Sequence, residues 1–293
     1  MFKQAILAFT AFMAMSSPAD AQQSINPPLY VVRDADSTMY LYGTVHIRPR
    51  GADWGNDRVR AAITESQEVW TEIEISPAAD AQAQQLAMQL GAAAPGRPLS
   101  SWLSAEENAQ LAAALTGMGI PAAALEGQEP WIAALTLSVV PMMQAGFDPT
   151  SGVDRQVDVF AETGGKTMRS FETIEQQLGF FDNMAPEAQR EMLREAIVQA
   201  PAAAAMITQL SNAWETGDEA ALTTLVIEET RAQYPELYDL IFVQRNNAWM
   251  QVIANELNGS GVDFVAVGAG HLLGAEGLVA QLRARGYTVE RVN

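Results

Sequence analysis

Among 293 residues there is no cysteine, and histidine occurs only twice. Without thiols the chain has no disulfides, no thiolate metal site and no cysteine nucleophile. Bases are scarce too: 17 Lys and Arg stand against 35 Asp and Glu, a formal charge of −18. That balance lacks the basic footprint nucleic acid requires, so no nucleic-acid partner is expected, and the charge favours solubility. Long apolar runs are missing as well. Residues 131–147, the most membrane-like internal stretch, are interrupted by Pro141 and fall short of the roughly 20 residues that span a bilayer. A buried helix is expected there, and no transmembrane segment in the mature chain. The G-x-S-x-G elbow and the H-E-x-x-H zincin helix are absent, and Gly268-x-Gly270 is not completed to a dinucleotide fingerprint. No tandem repeat of solenoid period occurs.

The amino terminus follows the order of an export signal. Lys3 precedes an apolar stretch, residues 5–15, then Ser16-Ser17-Pro18 and the small-residue site Ala19-Asp20-Ala21. Residues 1–21 therefore read as a signal peptide cleaved near Ala21, which makes the protein periplasmic or secreted. Residues 22–293 read as a single domain. Apolar, β-prone segments predict a hairpin over 29–45 and strands over 68–75, 167–171, 262–267 and 287–292. Asp57 is a candidate cap for a helix over 58–66, and Ser104-Ala105-Glu106-Glu107 is a capping box. Helical periods dominate residues 78–146, 153–163 and 175–258, and a further helix is expected over 276–285 before the last strand, a βαβ-type ending. The fold class implied is helix-rich α/β: a small central sheet built from N- and C-terminal strands, covered by a helical middle region.

Both histidines, His46 and His271, end a Gly-x-x-His sequence directly after an apolar strand. With glycine near 7% of residues, chance places it three before both about once in 200. Strand ends are where α/β sheets present ligands, glycine allows a sharp turn and leaves room beside a ring, and imidazole serves as metal ligand or base. Taken singly, either histidine is equally an imidazole satisfied by backbone. Glu72 and Glu74 alternate with apolar residues, so a strand would put both on one face, either a wet edge or a paired or metal-bound site. Glu172 and Glu175, three apart after a strand, would share one side of a helix start. Arg245, followed by Asn246, reads either as a clamp for a carboxylate or as a surface ion pair.

Leu41-Tyr42-Gly43-Thr44-Val45-His46, Glu72-Ile73-Glu74, Gly152-Val153-Asp154, Phe171-Glu172-Thr173-Ile174-Glu175-Gln176-Gln177, Arg245-Asn246 and Val267-Gly268-Ala269-Gly270-His271-Leu272-Leu273-Gly274 follow one another in an order that resembles the TraB/GumN (TraB/PrgY/GumN) family. The family is itself similar to Tiki-type metalloproteases and, more remotely, to erythromycin-esterase-like and ChaN-like proteins. The resemblance implies paired Gly-x-x-His motifs and a glutamate in one site, with Tiki-type members acting as manganese- or cobalt-dependent peptidases. Carried over, His46, Glu72 and His271 become candidate metal ligands, and Glu172, Arg245 and Asn246 candidate catalytic or supporting groups. Glu74 stands where the family often has Asp.

The function expected is an exported, divalent-metal-dependent hydrolase of a peptide or small-molecule substrate. Imidazole and carboxylate donors suit Mn, Co, Fe or Zn. Two rival readings are a metal-free, esterase-like hydrolase with His46 as base, and a non-enzymatic protein that binds a peptide or haem-like ligand.

Overall fold

The structure, a computed structural model, describes residues 25–292; the expected signal peptide lies outside them. It is helix-rich α/β. A six-stranded sheet runs in the order β6-β4-β7-β2-β1-β8, built from β1 (Leu29–Arg33), β2 (Ser37–Thr44), β4 (Glu68–Thr71), β6 (Thr167–Ser170), β7 (Gly261–Gly268) and β8 (Val289–Arg291). A separate two-stranded ribbon pairs β3 (Arg48–Pro49) with β5 (Phe147–Asp148). The strands β6, β4, β7 and β2 are mutually parallel, whereas β1 is antiparallel to both β2 and β8. The last strand therefore does not complete a simple βαβ unit with β7; β2 and β1 lie between them.

Two-sided burial explains the continuous apolar strands. Along β2, Tyr40 and Tyr42 enter one core with Phe264 and Ala266 of β7, while Met39 and Leu41 enter the other with Val265 and Val267. The first core is closed by α1 (Asp57–Glu65), through Val59 and Ile63, and by the helix Val153–Thr163, through Val157. The second is closed by Trp249 and Ile253 of the helix Arg245–Leu257 and by Leu278 and Leu282 of the helix Leu278–Ala284. A third cluster, with Leu115, Leu137 and Leu193, belongs to the helices Ala105–Gly117, Pro130–Gln144 and Pro186–Gln199. The helical middle thus builds a core of its own beside the sheet. Pro141 sits inside the Pro130–Gln144 helix, and among the described residues no helix is long and apolar enough to cross a membrane.

Several local expectations need correction. Asn56, not Asp57, caps α1, accepting from the Arg58 and Val59 amides, and Asp57 is a first-turn acid. The capping box at Ser104 forms as expected. The strand expected over 68–75 ends at Thr71, because the next residues leave the ladder. As a result Glu72 and Glu74 do not share a face: Glu72 is buried and Glu74 is exposed, accepting from Ser76 Oγ at 2.9 Å. Glu172 and Glu175 part in the same way. Thr173 caps the helix Ile174–Asp182, so Glu172 precedes it and turns inward, while Glu175 on its first turn faces solvent.

Candidate active site

The parallel strands end together. Register pairs Thr44 with Gly268, Thr71 with Ala266, and Ser170 with Thr71, so the chain segments leaving β2, β7, β4 and β6 emerge along one edge. Each releases a polar side chain there: His46 after β2, His271 after β7, Glu72 after β4 and Glu172 after β6. The last two are tied by the Glu172 amide, which donates to the Glu72 carbonyl at 2.9 Å. This is the carboxyl edge of a parallel sheet, where backbone leaving the ladder exposes ligand-facing groups.

The glycines act by making room rather than by turning. Neither Gly43 nor Gly268 has a positive φ. A Cβ on Gly43 would sit 3.1 Å from the Cα and Cβ of Ala269, so its absence lets the two Gly-x-x-His segments pack together. A Cβ on Gly268 would lie 3.2 Å from Glu72 Oε1, 3.5 Å from His46 Nε2 and 3.6 Å from His271 Cδ2. The space left by that one side chain is bounded by all three candidate ligands.

Arg245 fills the floor of the site. A π-helical turn, Asp239–Gln244, leads into it, and its guanidinium is buried against Trp249. Nε donates to Glu172 Oε1 at 2.8 Å; Nη2 donates to Glu172 Oε2 at 2.9 Å and to Glu72 Oε2 at 2.6 Å. Nη1 stands 3.2 Å from His271 Nε2. The surface ion pair that residue type alone permitted is thereby ruled out. Glu72 also accepts from the Gly268 amide at 2.8 Å and from Gln177 at 3.3 Å, and Glu172 from Trp249 Nε1 at 2.9 Å. Asn246 is bound to the second histidine: its Oδ1 lies 2.7 Å from His271 Nδ1, while its Nδ2 donates to the Glu276 carbonyl at 2.9 Å. That amide orientation makes His271 Nδ1 the proton donor and turns the lone pair of Nε2 toward Arg245 and Glu72.

The charge states follow from these neighbours. For His271, burial opposes protonation and Arg245 and His46 reinforce it, so its pKa falls to about 3 despite Glu72. The imidazole is neutral at physiological pH. For His46, desolvation is the largest single influence and works against the cation, but Asp154 and Glu72 together prevail over it and over Arg245, raising the pKa to about 9. Burial alone would raise Glu72; His271, His46, Arg245 and the Gly268 amide hold its carboxyl well below the usual range. A neutral His271 exerts no such pull, so near pH 7 the hold is that of the other three. Glu172 moves the other way, pushed up by burial against its bonds to Arg245.

Asp154 is the residue that sequence reasoning quoted but left without a role. Its Oδ2 lies 3.6 Å from His46 Nδ1, across a close approach in which a Cβ on Gly152 would meet the His46 carbonyl at 2.6 Å. The motif Gly152-Val153-Asp154 held that signal, because the glycine and the acid serve the same contact. The loop after His46 is anchored by Arg48, buried on Trp214 and paired with Glu215 at 2.7 Å, and Trp214 Nε1 donates to the Gly43 carbonyl at 2.7 Å.

The donor types are those a divalent ion takes, but the arrangement sets obstacles to one. Glu72 Oε1 lies 3.8 Å from His46 Nε2 and 3.7 Å from His271 Nε2, and each ring has an oxygen at its Nδ1 side, as ligating histidines do. Against this, Arg245 faces the His271 lone pair, and among the described residues no three His, Cys, Asp or Glu side chains already stand at metal-holding spacing. A cation there requires the Nη1 contact to give way and His46 to lose its proton.

No curated protein and no solved structure matches the chain. The sequence model of the TraB/PrgY/gumN family does, over residues 28–291, a span running from just before β1 to the end of β8 and holding every residue of the crevice. The chain belongs to the TraB/PrgY/gumN family.

Proposed function

We propose that the crevice is the active centre of an exported, divalent-metal-dependent hydrolase acting on peptide or other carbonyl substrates, with His46, Glu72 and His271 as the metal ligands. The observation that carries the reading is the space at Gly268, enclosed by Glu72 Oε1, His46 Nε2 and the His271 ring. Charge supports it: Glu72 and Glu172 pair with Arg245 and Asp154 stands beside His46, so with the His46 ring neutral three acids answer one guanidinium, an excess suited to a dication. When bound, the ion supplies Lewis-acid polarisation of a carbonyl and a water of lowered pKa, and two nitrogens with one oxygen suit Mn, Co, Fe or Zn.

The chain's own groups do the rest. Asn246 and Asp154 hold the two rings by their Nδ1 sides, and Glu172 with Trp249 holds Arg245. Of the five guanidinium N–H groups, Nε is taken by Glu172, both on Nη2 by Glu72 and Glu172, and one on Nη1 faces His271. The other Nη1–H is the donor we assign to a developing substrate oxyanion. Glu172, the carboxyl raised by burial and not used as a ligand, is assigned to proton transfer.

One observation favours the metal-free alternative, in which His46, once deprotonated, is itself the base: Asp154 lies beside its Nδ1 as an orienting acid would. A single assay separates the two. The purified chain is tested on peptide and ester panels, with chelator and then with added Mn, Co or Zn. Activity lost in chelator and restored by an ion is expected. Activity indifferent to chelator and abolished by His46→Ala establishes the alternative, and no turnover on any panel overturns both.

A further inference from the structure

Beyond Glu172 and Arg245 the site opens into a groove of about 970 Å³, bounded by the helices Ile174–Asp182 and Arg245–Leu257 and by the chain around Pro235. Its apolar surface comes from Phe171, Phe180, Leu240, Trp249 and Val252. A second hollow of about 340 Å³ shares Met184, Ala185, Ala188, Pro235 and Glu236 with it, so the two form one trench leading away from the crevice. The walls of the groove carry Glu175, Glu236 and Asp239, all exposed. Among the described residues none of these acids is in an ion pair; Glu175 accepts from Gln82 and Asp239 from Gln244, both uncharged amides. The cation in the wall, Arg245, is committed to Glu72 and Glu172.

We propose that this trench binds the non-reacting part of the substrate and selects an extended segment bearing both apolar side chains and positive charge, a cationic peptide. The inference rests on reading the adjoining crevice as the reacting centre. Apolar walls favour burial of aliphatic or aromatic side chains. Walls of one charge sign focus the field on an incoming cation and disfavour an acidic ligand. A run of two joined hollows suits an extended chain better than a compact molecule.

The test is a binding measurement on the full protein. Labelled peptides of equal length, sharing Phe and Leu and differing only in Arg, Ser or Glu at the remaining positions, are titrated by fluorescence anisotropy. The Arg peptide is expected to bind about tenfold tighter than the Ser peptide at low salt, the scale of a few exposed charge contacts, and the gap should shrink as salt is added. Glu236→Gln with Asp239→Asn should erase the preference. Asp36→Asn with Glu290→Gln, an equal charge change made at the β1–β2 turn and on β8, should retain it. Equal binding of Arg and Ser peptides overturns the proposal, as does loss of the preference in both double variants, which would trace it to net charge. Binding is read without turnover, so the two readings fail separately. A cationic preference in a chain that hydrolyses nothing sinks the hydrolase and leaves the trench, and hydrolysis without charge preference does the reverse.

Discussion

His46 and His271 leave adjacent parallel strands through the same Gly-x-x-His pattern and arrive in unlike surroundings. The His46 ring is 62% exposed, has Asp154 at its Nδ1 and is protonated well above neutrality. The His271 ring is 4% exposed, is packed between Phe242 and Trp249, donates to Asn246 and stays neutral. A local pattern of four residues therefore specifies where an imidazole is delivered, whereas the elements packed behind it specify its charge. The helix Arg245–Leu257 stands behind His271, and the start of the helix Val153–Thr163 stands beside His46. One ring is a fixed wall of the crevice; the other is its adjustable, solvent-facing side.

The largest way to break this difference is at Arg245, on the buried side. Arg245→Ala leaves Glu72 and Glu172 as buried carboxylates without their partner and should cost about 3–5 kcal/mol in a urea melt. A loss below about 1 kcal/mol would mean that the acids are hydrated rather than held by the guanidinium. Asn246→Ala comes next. It removes the acceptor of His271 Nδ1–H and a bond to the Glu276 carbonyl, for about 1–3 kcal/mol. It should also allow the other tautomer, visible in the ring's nitrogen shifts by NMR; an unchanged Nδ1–H signal would contradict the assigned role.

On the exposed side, Asp154→Asn should bring the His46 pKa down from about 9 toward the ordinary 6.5 with little change in folding. A titration curve that stays near 9 would show that Glu72 alone holds the proton.

Stability against pH should change as well, and the two histidines give it opposite signs. In metal-free protein the native state holds the extra proton on His46 between about 6.5 and 9, so its contribution is complete below 6.5 and fades as pH rises through that window. For His271 the unfolded chain binds the extra proton between about 6.5 and 3, so stability falls as pH drops through that range. His46→Gln should flatten the alkaline limb of the melting profile and His271→Gln the acid limb. Exchange of these two effects would reverse the assignment of charge.

Much of the sheet was legible in the sequence for a definite reason. Over residues 39–42 of β2 and 264–267 of β7 both faces are buried, so each stretch is an unbroken apolar run stopped by a glycine. Their common edge then followed from parallel pairing. Patterning could not say where β4 stops, and the face shared by Glu72 and Glu74 depended on the strand's continuing past Thr71. Glu172 and Glu175 diverged likewise, because the Thr173 cap falls between them. Arg245 carried no local sign of burial: its two carboxylate partners lie 73 and 173 residues away. Only the family-like order of motifs placed it with them. The trench was out of reach for a related reason. Its walls come from the helices Ile174–Asp182 and Arg245–Leu257 and the chain around Pro235, whose sequences mark a helix but not the neighbour it will face.

Metal content tests the central reading most directly. Purified wild-type protein and Gly268→Ala, each loaded with a divalent ion, desalted and measured by elemental analysis, differ by a single methyl group in the space between His46, Glu72 and His271. A stoichiometric ion in the wild type and its loss in a folded Gly268→Ala protein are expected. Absence of any retained ion from the wild type, or equal loading of both proteins, would contradict a metal centre at this sheet edge.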